Sequence, residues 1–443
     1  ILSSWNVVSS TIKLQDIMVN PKKAPWYFLL LLIVAGESVF ILPFVLSRVF
    51  RPVVLEAFNL DNYQLGICFS IYGIVALFSY LFGGPLADRF APRKLLAIAL
   101  WATAAGGFVY ATFPDFRMLQ VLYGYWGFTT IFLFWAPMIK ATRIWGGSVS
   151  QGKAFGFLDG GRGLTGALFA AMGVLVFSLF LSPETANPGI HESKNAFRQI
   201  ILISSGTITA VGVLVWFFLK FDRQTEEAVI PGNITRSQIS SVVKLPAVWL
   251  LMLIICCAYV GYKITDVFSL YARDVLHYDP VDSAQVGTFL LFVRPLVGVL
   301  IGLLVDYRKT SLWLMGSFVI TLIGALLFTS GWISASGSVL FLLSTLTTAM
   351  GVYASRCLYF AVMEQGKIPI ALTGTAVGLI SLVGYTPDIF AGPLIGSLLD
   401  QTPGAEGYRH VFGLLGGFAL IGGIASWWYY RLAKTSRTCL QDH

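Results

Sequence analysis

The sequence has little charge for its length. Only 12% of its 443 residues are Asp, Glu, Lys or Arg, whereas a soluble domain carries about 25%. Hydrophobic residues make up 56% of the chain. This shortage of charge excludes an ordinary soluble globular protein and predicts that most of the chain lies in a membrane.

Cysteine and histidine are also scarce, with five and four residues respectively. Their spacing fits neither a disulfide framework nor a metal site. The sequence has no Walker motif, and the G-x-G-x-x-G of Gly161, Gly163 and Gly166 lies inside an apolar run rather than after a strand. It therefore predicts close helix packing rather than dinucleotide binding. We expect no metal, no cofactor and no catalytic constellation, so the protein is not predicted to be an enzyme.

Long apolar runs are what the sequence has in abundance. A membrane-spanning helix needs about 20 mostly apolar residues, and the chain holds twelve such candidates. The predicted organisation is a tail at 1–24, a six-helix half at 25–221, a polar linker at 222–244, a second six-helix half at 245–431 and a tail at 432–443. The twelve predicted spans are 25–47, 62–86, 93–113, 116–141, 154–181, 198–221, 245–272, 284–305, 310–331, 338–363, 369–398 and 411–431.

The positive charges predict how the chain is oriented. The 30 Lys and Arg residues are concentrated in the segments that share one side of the membrane when the N-terminus is cytoplasmic. Because basic loops stay on the cytoplasmic side, both termini are predicted in the cytoplasm. The net charge of +8 is then a consequence of topology, and we expect no nucleic-acid partner.

Two loops repeat one pattern, G-x-x-x-D followed by basic residues. The stretch GGPLADRFAPRK at 83–94 joins spans 2 and 3, and GLLVDYRK at 302–309 joins spans 8 and 9. Glycine lets helices approach closely, and an Asp at a helix end can pair with Arg. Matching halves are typical of transporters built from repeats, with the binding site where the halves meet. We predict gating or structural roles for Gly84, Asp88, Arg89, Arg93, Gly302, Asp306 and Arg308.

These features resemble the major facilitator superfamily. The first loop, Asp-Arg-x-x-Pro-Arg, is similar to that of its organophosphate:phosphate antiporter branch, and FWAPMIKATRIW at 134–145 and ITDVFSLYARDV at 264–275 resemble that branch's fourth and seventh spans. The resemblance implies an all-α integral membrane fold, alternating access and a monomer. The branch's phosphate-binding arginines are not matched, since span 1 holds Glu37 and span 7 has Gly261. The resemblance therefore implies an anionic substrate without specifying a phosphate ester.

Three arginines lie near one depth in spans 5, 8 and 10: Arg162, Arg294 and Arg356. An ionisable side chain at mid-bilayer costs at least about 2.5–3.5 kcal/mol, so it is a functional candidate. The planar guanidinium fits carboxylate, sulfonate or phosphate, and we predict that the three arginines bind an anion in one cavity. The alternative is structural pairing, with Asp159 for Arg162 and with Glu364 for Arg356.

Glu37, in VAGESVF, is the first candidate for proton coupling, and a static partnership with an arginine is the equal alternative. Asp388, in GYTPDIF, is the second candidate for proton coupling. Three tyrosines are candidates for hydrogen bonds and stacking with the substrate, although aromatic residues in spans mostly pack. They are Tyr259, Tyr353 and Tyr385.

The remaining charges within spans are given gating or structural roles. Asp159 lies nearer the cytoplasmic end of span 5, which favours such a role. Lys263 and Asp266 are three residues apart near the outer end of span 7, and we expect them to pair with each other or to reach the interface.

The predicted function is secondary active transport of a small organic anion by alternating access. A sugar acid, a sulfonated or phosphorylated sugar and a carboxylate are all compatible, and proton symport and anion exchange both stay open. The alternatives are an anion sensor of the same fold and a carrier of neutral solutes whose arginines are structural. The expected partners are the solute, protons and the lipid bilayer, and the expected location is the bacterial inner membrane.

Overall fold

A computed structural model describes residues 25–146, 151–180, 190–220, 240, 243–304, 310–333, 338–359, 361–364 and 373–441. Within these ranges the chain is helical and forms no strand. Nine of the described helices are long and apolar enough to cross a membrane, and the first, bent segment makes a tenth. Two further segments complete the twelve.

Twelve helical segments follow the twelve predicted spans. We number them α1 to α12 in chain order. They are Trp26–Ser38 with Ile41–Val49 (α1), Asn62–Arg89 (α2), Pro92–Tyr110 (α3), Phe116–Gly127 with Phe128–Trp135 and Ala136–Gly146 (α4), Gln151–Leu179 (α5), Ile190–Phe218 (α6), Pro246–Ile264 with Thr265–Val267 and Phe268–Asp274 (α7), Pro280–Leu304 (α8), Thr310–Thr329 (α9), Ser338–Leu358 (α10), Thr373–Gly384 with Pro387–Gln401 (α11), and Ala405–Gln441 (α12).

The interruptions in these helices have local causes. In α1 the two pieces meet at 43°, and the second piece opens as a π-helix that contains Pro43. Proline lacks the backbone N–H that would continue the α-helical ladder, so a bend is expected there. In α11 the second piece begins at Pro387 for the same reason.

The helix starts differ most from prediction in α6 and α12. The helices begin at Ile190 and Ala405, ahead of the predicted starts at 198 and 411. The first turns of both are polar, and hydropathy locates the apolar part of a helix rather than its end. The predicted N-terminal tail and most of the linker at 222–244 lie outside the described residues, whereas α12 continues to Gln441 through most of the predicted C-terminal tail at 432–443. The domain boundaries stay predictions.

The two six-helix halves meet along two helix pairs, α2 with α11 and α5 with α8. Close approach of α2 and α11 depends on glycine. A Cβ placed on Gly392 would lie 3.0 Å from the Cα of Gly66, and a Cβ on Gly73 would lie 2.8 Å from the carbonyl carbon of Asp388. Small residues at such positions let two backbones touch, and the seam between the halves is built this way.

Candidate functional site

Four ion pairs lie between the helices of the bundle, and we call them, together with Arg356, the charged core. The pairs are Arg48–Asp266, Arg162–Glu37, Lys263–Asp388 and Arg294–Asp159. The first and the last join the two halves, and each of the other two lies within one half. Charges buried in a bundle must be paired or serve a function, so these contacts define where the chemistry can occur.

The pair of Arg48 and Asp266 is almost fully buried. The two side chains are 5% and 9% exposed, and the Nε of Arg48 donates to the Asp266 carboxylate. Arg48 also donates from Nη1 to the hydroxyl of Tyr262 at 2.8 Å, while the Oγ of Ser269 donates to the carbonyl of Arg48 at 2.9 Å. These contacts hold the end of α1 against α7.

The pair of Arg294 and Asp159 joins α8 to α5. The Nη2 of Arg294 lies 3.3 Å from the Oδ1 of Asp159. The arginine side chain is 9% exposed, but that of Asp159 is 62% exposed. Asp159 was a predicted alternative partner for Arg162 on its own helix. In the structure it instead pairs across the seam, because Arg294 reaches it from the facing helix.

Arg162 turns toward α1. Its Nε donates to the carbonyl of Gly36 at 3.1 Å and lies 3.4 Å from the Oε2 of Glu37. The guanidinium also lies over two aromatic rings, 5.4 Å from that of Phe40 and 5.6 Å from that of Trp135. Glu37 is 5% exposed, and its Oε2 makes no hydrogen bond within the described residues. The two predicted candidates therefore meet in a loose ion pair with a carboxylate oxygen left unsatisfied.

Lys263 pairs with Asp388 at 2.7 Å, and the hydroxyl of Tyr259 donates to the same carboxylate at 3.2 Å. The predicted pairing of Lys263 with Asp266 is not formed. The helix changes to a 3-10 turn at Thr265–Val267, and each charge finds its partner on another helix. Lys263 is held by α11, and Asp266 is held by α1.

Tyr262 of α7 gathers three arginines around its ring. The guanidinium carbons of Arg356, Arg48 and Arg294 lie 3.8, 4.5 and 6.0 Å from the ring centroid. Aromatic faces attract cations, and the effect grows when both are out of water. The ring thus places arginines from α10, α1 and α8 side by side.

Arg356 differs from the other arginines of the charged core. Its Nη1 is buried and has no hydrogen-bond partner among the described residues. The side chain of Glu364, its predicted alternative partner, lies outside the described residues. An unsatisfied buried donor is rare in proteins and calls for an explanation. Among the described residues, Arg356 is thus the cation of the charged core that has no ion-pair partner.

The three predicted tyrosines extend this region along α7, α10 and α11. The rings of Tyr259 and Tyr385 are 4.9 Å apart, and the ring of Tyr353 lies 6.5 Å from that of Tyr262. The hydroxyl of Tyr385 lies 3.4 Å from that of Tyr359, whereas the hydroxyl of Tyr353 is buried without a hydrogen bond among the described residues. Aromatic faces with polar tips thus line one side of the charged core.

The three predicted arginines share one acidic neighbour. Asp159 interacts electrostatically with Arg294, Arg356 and Arg162. Arg294 and Arg356 lie on one ring, while Arg162 lies against α1 and α4. The structure therefore brings the three into one charged region, with Arg162 at its edge.

Sequence reasoning missed Arg48 and Tyr262. The first span was predicted to end at residue 47, which leaves Arg48 in a loop, although the helix continues to Val49 and a further helix covers Arg51–Phe58. The apolar residues on both sides of Arg48 were the available signal. Tyr262 lies three residues after Tyr259 and so near the same helix face, which was the signal for it.

The repeated loops are only partly described. Gly84, Asp88 and Arg89 end α2 and Gly302 lies in α8, but their side chains lie outside the described residues, as do Asp306 and Arg308. Arg93 donates from Nη1 to the carbonyl of Trp216 at 3.4 Å, which joins α3 to α6 within the first half. The gating role of these loops stays a prediction.

Known proteins are similar to this chain in sequence and in fold. The model of the Major Facilitator Superfamily matches residues 26–391. The inner membrane proteins YqcE and YihN of Escherichia coli (strain K12) are 27% and 25% identical, over 90% and 91% of this chain and 92% and 95% of theirs. The hexuronate transporter of Bacillus subtilis (strain 168) is 24% identical over 84% of this chain and 87% of its own. A bacterial homologue of the human lysosomal transporter Spinster, solved in an inward-facing and occupied conformation, has a TM-score of 0.68 at 15% identity and covers 94% of this chain and 98% of that one.

Proposed function

Because the chain belongs to the Major Facilitator Superfamily, and so is a multi-pass membrane transporter and not an enzyme, we propose that its substrate is a small organic anion bound in the charged core. The observation that carries this proposal is the buried Nη1 of Arg356, which has no hydrogen-bond partner among the described residues. The other four cations of the charged core each have a carboxylate partner among the described residues. Leaving a buried charged donor unsatisfied is costly, and a carboxylate, sulfonate or phosphate would remove that cost.

The aromatic side of the site supports an organic substrate with hydroxyl groups. Tyr259, Tyr353 and Tyr385 have flat faces and polar tips, and the buried hydroxyl of Tyr353 makes no hydrogen bond among the described residues. The hexuronate transporter among the relatives supports a sugar acid in particular. Sulfonated or phosphorylated sugars and simple carboxylates belong to the same chemical class.

We assign the primary contact to Arg356, with Arg294 and Arg162 as supporting contacts. Arg294 lies on the same ring as Arg356 and would reach a bound anion when it loosens from Asp159. Arg162 is held by Glu37 through a contact of 3.4 Å, which an anion could replace. A substrate that takes Arg162 from Glu37 would leave a buried carboxylate without its cation.

This exchange of partners is the basis for proton coupling. A carboxylate buried without a cation takes up a proton, because the charged form is disfavoured out of water. Glu37 would then release the proton when the site empties and Arg162 returns. Asp388 is the weaker candidate, because Lys263 and Tyr259 already satisfy it. Anion exchange without protons is the alternative mode.

The proposed setting is the bacterial inner membrane with both termini in the cytoplasm. The inner membrane relatives support the location, and the distribution of Lys and Arg supports the orientation. In that orientation Asn62 and Asp400 lie at the outer face. The repeated loops would then lie at the cytoplasmic face, where they are proposed to form a gate, and the protein would work as a monomer.

The test is uptake of labelled anions into proteoliposomes, with and without an imposed pH gradient. We expect saturable uptake of a hexuronate that is lost in Arg356→Gln and reduced in Arg162→Ala and Arg294→Ala. The matched control is Arg117→Gln, an exposed arginine at the start of α4 with the same change of charge. Glu37→Gln should abolish the response to the pH gradient while keeping exchange.

Three results would contradict the proposal. Equal uptake of neutral sugars and acids would indicate a neutral-solute carrier with structural arginines. Tight binding of the acid without flux would indicate a sensor. Full activity in Arg356→Gln would remove the central contact.

A further inference from the structure

We infer that the substrate carries a single negative charge, so that the site selects monovalent acids over dianions such as phosphate esters. The inference rests on the proposed function, since it concerns the same site. It follows from how the charges of the charged core compensate one another among the described residues.

The charged core contains five cations and four carboxylates. Each carboxylate is paired with a different cation, and the pairs join residues from α1, α5, α7, α8 and α11. The cation left over is Arg356, whose Nη1 has no protein partner within the described ranges. Among the described residues the region therefore has an excess of one positive charge.

Arg51 does not add to this excess. It is buried at the end of the bundle and donates from Nε and Nη2 to the Oδ1 of Asn62, at 3.2 and 3.0 Å. Asn62 in turn donates from Nδ2 to Asp400 at 3.1 Å. Arg51 lines a pocket with Lys263 and Asp266, at the border of the charged core. Through the amide of Asn62 its charge faces that of Asp400, so Arg51 and Asp400 together add no net charge to the count.

Because the charged core has one positive charge in excess, it favours a ligand whose negative charge makes the core neutral. Charges inside a bundle are poorly screened, so a mismatch costs more there than at a surface. While Arg162 stays paired with Glu37, a monovalent anion cancels the charge of Arg356. A dianion would leave an excess of one negative charge, and a neutral sugar would leave Arg356 uncompensated.

The geometry of Arg356 also suits one small acidic group. Its guanidinium lies 3.8 Å from the centroid of the Tyr262 ring, so the ring covers one face of the planar guanidinium. A ligand therefore approaches along the edge that carries Nη1. A planar carboxylate fits this edge, as does one face of a sulfonate.

The experiment is equilibrium binding at pH 7.5 to the purified protein, measured by calorimetry. The probes are glucuronate and a 6-sulfonated glucose, which carry one charge, glucose 6-phosphate, which is mainly a dianion at this pH, and neutral glucose. Glycerate and glycerol 3-phosphate form a smaller matched pair. We expect each monovalent acid to bind at least tenfold more tightly than its phosphate counterpart and than glucose.

Charge-altered variants sharpen the test. Asp159→Asn frees Arg294 and raises the excess to two, so the ratio of phosphate to carboxylate affinity should rise at least tenfold. Glu37→Gln frees Arg162 and should also raise the ratio of phosphate to carboxylate affinity. With two variants, the test can still be made if one of them folds poorly. The control is Glu56→Gln, which breaks the partly exposed pair with Arg273 outside the charged core and should leave the ratio unchanged.

The outcomes separate this inference from the proposed function. Tighter binding of the phosphates by the wild type, or an unchanged ratio in both charge-altered variants, would overturn the inference and leave anion transport standing. Equal binding of glucose and glucuronate, or binding of none of the anions, would overturn the proposed function itself.

Discussion

The two ion pairs that join the halves differ in almost every respect. Arg48 and Asp266 are both buried and are reinforced by Tyr262 and Ser269. Arg294 and Asp159 meet at 3.3 Å, and the carboxylate side chain is 62% exposed. The cation belongs to the first half in one pair and to the second half in the other. The halves are thus fastened firmly at the Arg48 pair and weakly at the Asp159 pair.

Other contacts also join the two halves on the side of the Arg48–Asp266 pair. Asp400, at the end of α11, accepts from the backbone N–H groups of Asn62 and Tyr63 at 3.2 and 2.7 Å. The Oγ of Ser70 donates to the carbonyl of Ile389 further along the same seam. A transporter that works by alternating access must break one set of such contacts while it forms the other. We therefore expect these contacts to form in one state of the proposed cycle and to break in the other.

The largest expected effect is on the buried pair. Arg48→Gln leaves Asp266 buried without its cation, and breaking a buried pair costs about 3–5 kcal/mol. We expect a corresponding fall in the free energy of unfolding in detergent, together with loss of uptake. The double variant Arg48→Gln/Asp266→Asn should regain part of that stability. A single variant as stable as the wild type would show that the pair does not fasten the halves.

A methyl group in the seam should have the next largest effect. Gly66→Ala would place a Cβ against the backbone at Gly392, and overpacking costs about 1–3 kcal/mol. We expect cysteines introduced at this end of the bundle to react faster with a water-soluble maleimide. Gly417→Ala is the control, since its Cβ would meet no atom within 4 Å. Equal labelling of both variants would contradict close packing here.

Asp400→Asn should have a smaller effect. The variant removes the charge from a carboxylate that accepts two backbone N–H groups, and a hydrogen bond to a charged group contributes about 1.5–3 kcal/mol, less where water reaches it. We expect about 1 kcal/mol of destabilisation. Cysteines introduced at the same end of the bundle as in the Gly66 experiment should react moderately faster with the maleimide. The opposite result, a decrease in labelling, would mean that Asp400 favours opening.

The smallest effect on stability is expected for Asp159→Asn. The carboxylate is mostly exposed, and such pairs contribute about 0–1 kcal/mol. Thermal unfolding should change little, while the ligand preference changes as described above. A loss of stability as large as that of Arg48→Gln would remove the contrast between the two pairs.

The sequence predicted the helices better than their contacts. Apolar length alone placed twelve spans in two groups, because the bilayer imposes that length on any spanning helix. It also singled out four acidic residues within spans, Glu37 and Asp388 for proton coupling and Asp159 and Asp266 for gating or structural roles. It did not predict which cation each would meet, because Arg294 and Lys263 find their partners on helices distant in the chain. The π-helical part of α1 and the 3-10 turn of α7 further shift Arg48 and Asp266 from where regular helices would place them.

The central claim is that Arg356 holds the anion, and the affinity for glucuronate tests it most directly. We would measure the dissociation constant for the wild type, Arg356→Gln, Arg356→Lys and the control Arg117→Gln. We predict a loss of about 100-fold in Arg356→Gln, a partial loss in Arg356→Lys because the lysine keeps the charge but not the fork, and no change in the control. Wild-type affinity in Arg356→Gln would contradict the account.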